Sequence, residues 1–335
     1  MTTPLPPPPD DLDPDTLAEL GAMFMNAKLL CVGSQIGVFE HLGEGPRTLE
    51  ELGAVLGIPH RSLRVVLNGL AAMGILELRE GSYSNGRAAQ AFMAGKTSVD
   101  VRPGLRLFNQ LMYPMWMGFE NAVRTGQPAR HGKPSEDFAK IFSEGIEAWT
   151  GPGARALPHT YDFSQHRRVL DVGGGTGSYL LPLLKMHPGL RGTIYELPPS
   201  ADAARRRLES EPARDRIEIV EGDVLFDPLP QDHDVVLIAA LIHLFDPDKI
   251  QILLRRVRDS MSPGQKLLVV DQWMDTTHTK PAFGAMLAGT YLMLSGEGDT
   301  YSVAEARPWL EASGLRFLEH KPLAGVTSLV VAEAV

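Results

Sequence analysis

Apolar residues near the start of the chain recur at the three- and four-residue spacing of an amphipathic helix. This spacing runs from Leu17 to Leu42 and is interrupted near Gly33, so it predicts two helices in tandem. The preceding residues, 1–14, contain four consecutive prolines followed by acids and offer little apolar surface to offset the entropy of ordering. We therefore expect a disordered tail at 1–14.

The next residues predict a compact helical unit that ends in a small hairpin. Thr48 and Glu51 have the spacing of a capping box and mark the start of one helix, and a second helix is expected over His60–Met73. Ile75–Leu78 alternates into a glycine turn, which predicts a hairpin. The order helix, turn, helix, hairpin is that of a winged helix, a unit that either reads DNA or packs and dimerises. We assign it to residues 15–100.

A third helical region connects this unit to the rest of the chain. One helix is predicted from Pro103 to Arg124, and another over Glu136–Trp149 within a segment rich in Gly, Pro and His. Large side chains on one face of the first helix either pack in a core or line a ligand pocket. They are Met112, Trp116 and Phe119. The whole connection is expected over 101–160.

From residue 161 to residue 335 the pattern changes to strands that alternate with helices. The strands are nearly continuous apolar runs, as a parallel sheet covered on both faces requires. They are expected at Arg168–Val172, Thr193–Glu196, Ile217–Val220, Val235–Ala239 and Leu267–Val270. Leu315–Glu319 and Thr327–Ala332 predict a hairpin at the sheet edge. The predicted fold class is α/β, with a doubly wound sheet after an N-terminal, mostly helical winged-helix domain.

The charge balance argues against a nucleic-acid partner. The 335 residues include 41 acidic and 32 basic side chains, for a net charge of −9, whereas nucleic-acid affinity comes largely from Lys and Arg that displace counterions. Between Thr48 and Lys96 there are five basic and four acidic side chains, and the helix expected to read DNA carries only Arg61 and Arg64. The sequence favours a dimerisation role for the winged helix, with a DNA-binding regulator as a rival interpretation.

Other compositional signals indicate a reducing compartment. Cys31 is the only cysteine and lies in an apolar stretch, so burial is favoured over catalysis by its thiol. The first residues lack the basic and apolar regions of a signal peptide, and the longest apolar run, Val235–Ile242, is too short to span a bilayer. We expect a cytoplasmic protein without membrane contact. The histidines show no metal-ligand spacing, so no metal is expected.

The first predicted strand of the α/β region runs into a glycine-rich loop. Gly173 and Gly175 lie within Asp171–Gly177, where glycines let the backbone approach a ligand and the following helix points free amides at it. The dinucleotide pattern G-x-G-x-x-G does not fit, because Leu180 occupies its third glycine position, and no Walker-type lysine follows. The loop therefore predicts a nucleotide ligand and disfavours NAD and ATP.

Two further segments favour an adenosine ligand. Glu196 ends the second strand, where a carboxylate can accept hydrogen bonds from both ribose hydroxyls, although a solvated surface charge is the alternative interpretation. After the third strand, Gly222 is followed by Asp223 and Val224, which suit the adenine amino group and the adenine ring face. Together with the glycine loop, these segments predict an adenosine site at the carboxyl ends of the first three strands.

The segments LDVGGGTG, IYELP and EGDVLFDPLP resemble those of S-adenosylmethionine-dependent O-methyltransferases. From about Leu20 onward the chain is similar to the bacterial and plant small-molecule family with a winged-helix dimerisation domain. The resemblance implies a Rossmann-like methyltransferase sheet, S-adenosylmethionine as cofactor, and a homodimer that closes the substrate pocket. The implied function is methylation of a hydroxyl of a small aromatic secondary metabolite.

The resemblance also implies two catalytic residues. The family's catalytic histidine lies in an H-D-W segment after the fourth strand and corresponds to His243, and the acid that orients it corresponds to Asp271. A neutral imidazole can accept a phenolic proton near pH 7. The alternative is that a histidine at a strand end serves only to cap or to pack.

Departures from the family pattern keep a rival reaction open. Leu244 and Phe245 replace the two residues after the histidine. Gly298 stands where the family has a second acid, so either Glu297 or Asp299 substitutes for it or no acid does. Relatives with this architecture can bind the cofactor and catalyse cyclisation, hydroxylation or decarboxylation instead of methyl transfer.

Apolar side chains at helical spacing are candidates for the acceptor pocket. Met112 and Trp116 lie in the connection, and Met286, Thr290 and Met293 recur after the fifth strand. Core packing is an equally good interpretation for each of them. The pattern suits an aromatic or otherwise flat apolar acceptor, and pocket shape decides whether its reacting atom is oxygen, nitrogen or carbon.

Overall fold

The computed structural model describes residues 13–97, 99–128 and 136–335. They divide into two compact units, one formed by the described parts of 13–117 and 136–149, the other by 118–128 and 150–335. Most of the tail predicted at 1–14 lies outside the described residues. Its last two residues are ordered, because Asp13 caps the first helix through the amide of Thr16 at 2.7 Å and Pro14 begins that helix.

The two tandem helices predicted at the start are confirmed as α1, Pro14–Gln35, and α2, Val38–Leu42. The break between them lies at Gly37, with a φ of 85°, and the prediction of a break near Gly33 is wrong. Gly33 lies inside α1, where a Cβ would come within 2.7 Å of Leu70 Cδ1. This glycine therefore permits close helix packing, a role that sequence spacing does not distinguish from a turn.

The winged-helix arrangement of elements is present in the first unit. Its elements are β1 Arg47–Thr48, α3 Leu49–Leu56, α4 His60–Ala72, β2 Leu76–Arg79, β3 Ser82–Asn85 and α5 Arg87–Phe92. The capping box at the start of α3 is complete, since Thr48 Oγ1 accepts from the Glu51 amide at 3.2 Å and Glu51 Oε2 accepts from the Thr48 amide at 2.7 Å. The strands form a small antiparallel sheet in the order β1-β3-β2.

The single helix predicted from Pro103 to Arg124 is interrupted twice. The segment contains α6 Arg102–Leu107, a π-helical turn Phe108–Met112, α7 Tyr113–Trp116 and α8 Phe119–Thr125. Pro114 has no amide to continue the hydrogen-bond ladder, which accounts for the wide turn before it. Met112, Trp116 and Phe119 therefore do not share the face of one regular helix. The next helix, α9, spans Glu136–Thr160 and extends past the predicted end at Trp149.

The second unit is built on a seven-stranded sheet in the order β6-β5-β4-β7-β8-β10-β9. Its strands are β4 Arg168–Val172, β5 Arg191–Glu196, β6 Ile217–Glu221, β7 Val235–Ala239, β8 Lys266–Asp271, β9 Leu315–Pro322 and β10 Ser328–Ala334. Strands β4 to β8 are parallel, and the hairpin of β9 and β10 joins β8 in antiparallel register. The predicted doubly wound sheet and its edge hairpin are confirmed.

Helices connect these strands on both faces of the sheet. They are α10 Leu180–Met186, α11 Pro198–Leu208, α12 Pro247–Asp259, α13 Ala282–Leu294 and α14 Val303–Ala312. Within the described ranges, no helix combines the length and the apolar character needed to cross a membrane.

Side-chain alternation in β7 explains its continuous apolar sequence. Val236 and Ile238 belong to one buried cluster, whereas Val235 and Leu237 belong to another on the opposite face. The chain continues from β4 to β5 and β6 on one side and places β7 and β8 on the other. The direction in which successive strands are added to the sheet thus reverses between β4 and β7. Doubly wound sheets bind ligands in the crevice at the carboxyl ends of the strands where this reversal occurs.

Candidate active site

The glycine loop, defined as residues 173–177, leaves the carboxyl end of β4 at this crevice. Gly173 has a φ of 67°, and a Cβ there would lie 2.8 Å from a Leu241 side-chain atom beyond the end of β7. Gly175 has a φ of 54°, and no atom lies within 4 Å of the position of its missing Cβ. The loop therefore packs tightly on one side and is open at Gly175, where a ligand can approach its backbone.

A buried carboxyl lies beneath the loop. Asp171 is fully buried, and neither of its carboxyl oxygens has a hydrogen-bond partner among the residues that the structure describes. A Cβ at Gly174 would lie 2.7 Å from its carboxyl carbon, so this group supports the underside of the loop. Burial, together with the charge of Glu196, raises the pKa of Asp171 from 3.8 to about 7.

Glu196 joins the end of β5 to the loop. Its Oε2 accepts a hydrogen bond from the Gly175 amide at 3.0 Å, and its Oε1 accepts one from the Leu197 amide at 2.9 Å. Burial raises the pKa of this carboxyl, while the two amide hydrogen bonds oppose that shift. The sequence predicted Glu196 beside the loop, and the structure places it there with lone pairs left to accept hydroxyl donors.

The segment after β6 lies beside the end of β5. The Gly222 amide donates to the Glu196 carbonyl at 3.0 Å, and a Cβ at Gly222 would overlap the Tyr195 hydroxyl, so only glycine fits. Asp223 starts a turn in which its Oδ1 accepts from the Leu225 amide at 2.9 Å. Val224 is partly buried and packs against the core of the sheet. The predicted cofactor residues thus all lie at the carboxyl ends of β4, β5 and β6.

On the β7 side of the crevice between β4 and β7, a strained turn follows β7. Ala240 has a φ of 53°, a conformation that costs a residue with a Cβ about 1–2 kcal/mol, and its amide donates to the Val270 carbonyl at 2.9 Å. A 3₁₀ turn, Ile242–Leu244, comes directly afterwards and carries His243. Strained backbone of this kind is concentrated at functional sites, and sequence analysis did not identify it here.

His243 and Asp271 are in direct contact. His243 Nδ1 lies 2.8 Å from Asp271 Oδ1, and both side chains are buried. The same oxygen accepts a hydrogen bond from the backbone amide of Gln272 at 2.8 Å. Because the carboxylate is an acceptor, the hydrogen bond assigns the proton to Nδ1 and leaves the Nε2 lone pair as an acceptor.

A third side chain that the sequence did not indicate completes this group. The Tyr291 ring, from α13, is stacked on the His243 imidazole with centroids 4.2 Å apart and planes inclined by 19°. Its hydroxyl donates to Gln272 Oε1 at 2.9 Å. We call His243, Asp271, Gln272 and Tyr291 the His243 cluster. No spacing rule connects a tyrosine on α13 with a histidine after β7, so the sequence held no signal for this contact.

In the described parts of the chain, neither carboxylate that could serve as the second acid hydrogen-bonds to the His243 imidazole. The Glu297 carboxylate pairs with Lys249, and Asp299 Oδ1 accepts from the Thr300 amide at 2.7 Å. At Gly298, a Cβ would overlap the His243 carbonyl oxygen. The path of the backbone therefore leaves no room for a side chain at this position.

The acceptor candidates differ in exposure and belong to different units. On α13, Met286 is 51% exposed, Thr290 is 7% exposed and Met293 is fully buried. Met112 and Trp116 lie in the first unit, where Trp116 is 37% exposed. A pocket-lining role for these five residues stays a prediction, and the complete burial of Met293 suits core packing.

Two family models match the chain. A model of the O-methyltransferase domain matches residues 108–316, and a model of the O-methyltransferase dimerisation domain matches residues 18–95. The first range includes the glycine loop and the His243 cluster, and the second includes the winged-helix elements described above.

Proteins of known function are similar over most of their length. The chain is 28% identical over 317 residues to a 3-hydroxy-5-methyl-1-naphthoate 3-O-methyltransferase of Streptomyces sahachiroi, covering 92% of this chain and 91% of that protein. It is 31% identical over 305 residues to a mitomycin biosynthesis 6-O-methyltransferase of Streptomyces lavendulae, covering 87% and 85%. The solved structure of PigF with SAH matches with a TM-score of 0.86 and 26% identity, covering 96% of this chain and 100% of that one. PigF is an S-adenosyl-L-methionine-dependent methyl transferase of a Serratia species.

Proposed function

The chain belongs to the family of S-adenosylmethionine-dependent O-methyltransferases with an N-terminal dimerisation domain, and we propose that it methylates a hydroxyl of a small aromatic secondary metabolite with His243 as general base. The names of the relatives support the substrate class, since one acts on a hydroxynaphthoate and another belongs to mitomycin biosynthesis. The observation that carries the proposed role of His243 is the hydrogen bond of 2.8 Å to Asp271 beside the crevice.

The residues at the crevice fit S-adenosylmethionine. The backbone is open to a ligand at Gly175, Asp171 is a buried carboxyl that lacks a partner among the described residues, and the Glu196 carboxylate is fixed beside the loop. When bound, the cofactor supplies an electrophilic methyl group on its sulfonium. We assign the ribose hydroxyls to Glu196, the adenine amino group to Asp223 and the adenine face to Val224. Gly173 and Gly222 keep the backbone free of side chains at this site.

The proposed work of the protein side chains is limited to positioning and one proton transfer. His243 Nε2 accepts the proton of the acceptor hydroxyl, and Asp271 holds the imidazole in the required tautomer and stabilises the imidazolium that forms. With the cofactor bound, the protein would have to hold the acceptor hydroxyl against the methyl group, so positioning would supply much of the rate. Both side chains are buried, which strengthens the electrostatic interaction between them.

We further propose that the protein is a homodimer. The match to a dimerisation domain over residues 18–95 supports this state. Five large apolar side chains on α1 are about half exposed, as expected of a helix that a second copy covers. They are Leu17, Leu20, Met23, Phe24 and Met25. Sedimentation equilibrium of the full chain should give twice the mass of one chain, and a monomer at micromolar concentration would contradict this proposal.

The first test of the function is calorimetric titration with S-adenosylmethionine and with S-adenosylhomocysteine. Both should bind, and Glu196→Ala should weaken them about 10- to 100-fold because a charged acceptor of hydrogen bonds is lost. Glu221→Ala is the matched control, since Glu221 is the register partner of Glu196 on β6 and its carboxylate pairs with Arg205. Equal losses in the two variants, or no binding by the native protein, would contradict the cofactor assignment.

The second test is a screen of phenolic acceptors with detection of the methylated product by mass spectrometry. A product heavier by one methylene unit, formed together with S-adenosylhomocysteine, is the expected result. Conversion of the acceptor without consumption of S-adenosylmethionine would instead identify the protein as a family member that catalyses a non-methylating reaction. The glycine at position 298 in place of an acid is the observation that makes this second outcome worth measuring.

A further inference from the structure

The imidazole of His243 is held on its edge and on one face by different groups. Asp271 Oδ1 contacts the edge at Nδ1, at a distance of 2.8 Å. Tyr291 covers one face, with ring centroids 4.2 Å apart and planes inclined by 19°. A single hydrogen bond at the edge leaves the ring free to tilt about that bond, whereas a parallel ring on its face restricts the tilt.

Tyr291 is itself held by Gln272, the residue that follows Asp271 at the end of β8. Its hydroxyl donates to the side-chain oxygen Oε1 of Gln272 at 2.9 Å, and the backbone amide of Gln272 donates to Asp271 Oδ1 at 2.8 Å. The contacts therefore form a closed circuit through all four residues of the His243 cluster. Burial raises the pKa of Tyr291 far above its ordinary value, so the hydroxyl keeps its proton and stays a donor.

The chain at position 298 leaves no room for a carboxylate side chain beside His243. A Cβ at Gly298 would overlap the His243 carbonyl oxygen and lie 3.1 Å from Tyr291 Cβ. The Asp299 amide donates to that same carbonyl at 3.1 Å, which fixes the approach of the backbone. In the described residues, the carboxylate that hydrogen-bonds to His243 is that of Asp271 alone.

We infer that Tyr291 is a positioning residue for His243, whose ring plane it fixes through the stack and through its bond to Gln272. This inference rests on the proposed function, in which His243 is the base. Tyr291 contacts the base and does not transfer a proton itself. Because a misplacement of about 1 Å costs about 10²-fold in rate, loss of the stack should lower kcat and leave the binding of both substrates nearly unchanged.

The test compares Tyr291→Leu with the conservative variant Tyr291→Phe. The leucine variant should lower kcat about 10- to 100-fold, with KM for S-adenosylmethionine and for the acceptor within about threefold of the native values. The phenylalanine variant keeps the stack and loses only the hydroxyl, so it should retain kcat within about fivefold. An unchanged kcat in Tyr291→Leu would overturn the inference.

A control separates positioning from a general loss of stability. Tyr83→Leu removes another buried tyrosine, 4% exposed, whose hydroxyl donates to Asn68 Oδ1 at 2.5 Å in the first unit. It should lower the melting temperature as Tyr291→Leu does and leave kcat unchanged. If Tyr291→Leu does not fold, Gln272→Met serves in its place, because it frees the Tyr291 hydroxyl and should lower kcat by about 3- to 10-fold.

Two readouts distinguish failure of this inference from failure of the proposed function. In a nuclear magnetic resonance spectrum of histidine-labelled protein, the His243 ring protons should be shifted upfield by the Tyr291 ring and should move downfield in Tyr291→Leu. An inactive His243→Ala together with a fully active Tyr291→Leu would overturn only the positioning role. A fully active His243→Ala would overturn the role of the base, and the positioning role would fall with it.

Discussion

The glycine loop and the His243 cluster lie at the same edge of the sheet and are built in opposite ways. The loop consists of consecutive residues, 173–177, of which four are glycines, and it lets a ligand approach its backbone at Gly175. The cluster draws side chains from the turn after β7, from the end of β8 and from α13. Its proposed chemistry depends on their relative orientation. A binding site made of backbone is thus local in sequence, whereas a site made of side chains depends on packing.

The largest expected effect concerns the cluster. His243→Ala should lower kcat about 10²- to 10⁴-fold, because the acceptor hydroxyl loses its base, while the dissociation constant for S-adenosylmethionine stays unchanged. Steady-state kinetics and calorimetry on the same preparation measure the two quantities. His233→Ala, which removes another buried histidine just before β7, is the control and should remain active. If His243→Ala weakened cofactor binding by as large a factor as it lowers kcat, the His243 cluster would also contribute to cofactor binding, and the two regions would not have separate functions.

The second effect concerns stability at the loop. The pKa of Asp171 is raised to about 7 in the folded protein, so the fold binds this proton more tightly than the unfolded chain does. The resulting stability is fully present below about pH 4, the unfolded pKa, and is lost as the pH rises towards 7. Between pH 5 and pH 8 the free energy of unfolding of the ligand-free native protein should fall by roughly 2–3 kcal/mol relative to that of Asp171→Asn.

Urea unfolding of both proteins at several pH values checks this prediction. The quantity to compare is the difference in the free energy of unfolding between the native protein and the variant, because titrating groups that do not interact with Asp171 cancel in it. As the pH rises, the free energy of unfolding of Asp171→Asn should increase relative to that of the native protein. A difference that does not change with pH would mean that the carboxyl under the loop titrates normally.

The smallest effect tests whether the loop acts through its backbone alone. Gly175→Ala places a methyl group in open space at a φ of 54°, so its cost is conformational and about 1–2 kcal/mol. The free loop can relax, and binding then has to restore the strained form, which should weaken S-adenosylmethionine binding by about 5- to 30-fold. At saturating cofactor, kcat should remain close to native.

Gly189→Ala provides the matched control for this variant. Gly189 also has no atom within 4 Å of its missing Cβ and does not have a positive φ, so alanine there should leave cofactor affinity unchanged. If Gly175→Ala lowered kcat at saturating cofactor, the loop would have to influence the His243 cluster directly. The contrast between the two regions would then be wrong.

Sequence patterns predicted elements whose cause is local. The predicted strand Val235–Ala239 has the observed bounds of β7, because a strand covered on both faces must be apolar at every position. The capping box of Thr48 and Glu51 could also be predicted from the sequence, since its two hydrogen bonds join residues three positions apart. The helix break was placed near Gly33 and occurs at Gly37, because close packing and positive φ both select glycine.

The sequence by itself therefore determined the α/β sheet, the winged-helix order and the glycine loop, whose requirements fall on neighbouring residues. It also indicated His243 and Asp271 through resemblance to a family. Only the tertiary structure brought these two side chains, 28 residues apart, to 2.8 Å, stacked Tyr291 on the imidazole and left no room for a side chain at Gly298. Such contacts depend on how separate elements pack, and no periodicity along the chain encodes the distance between their side chains.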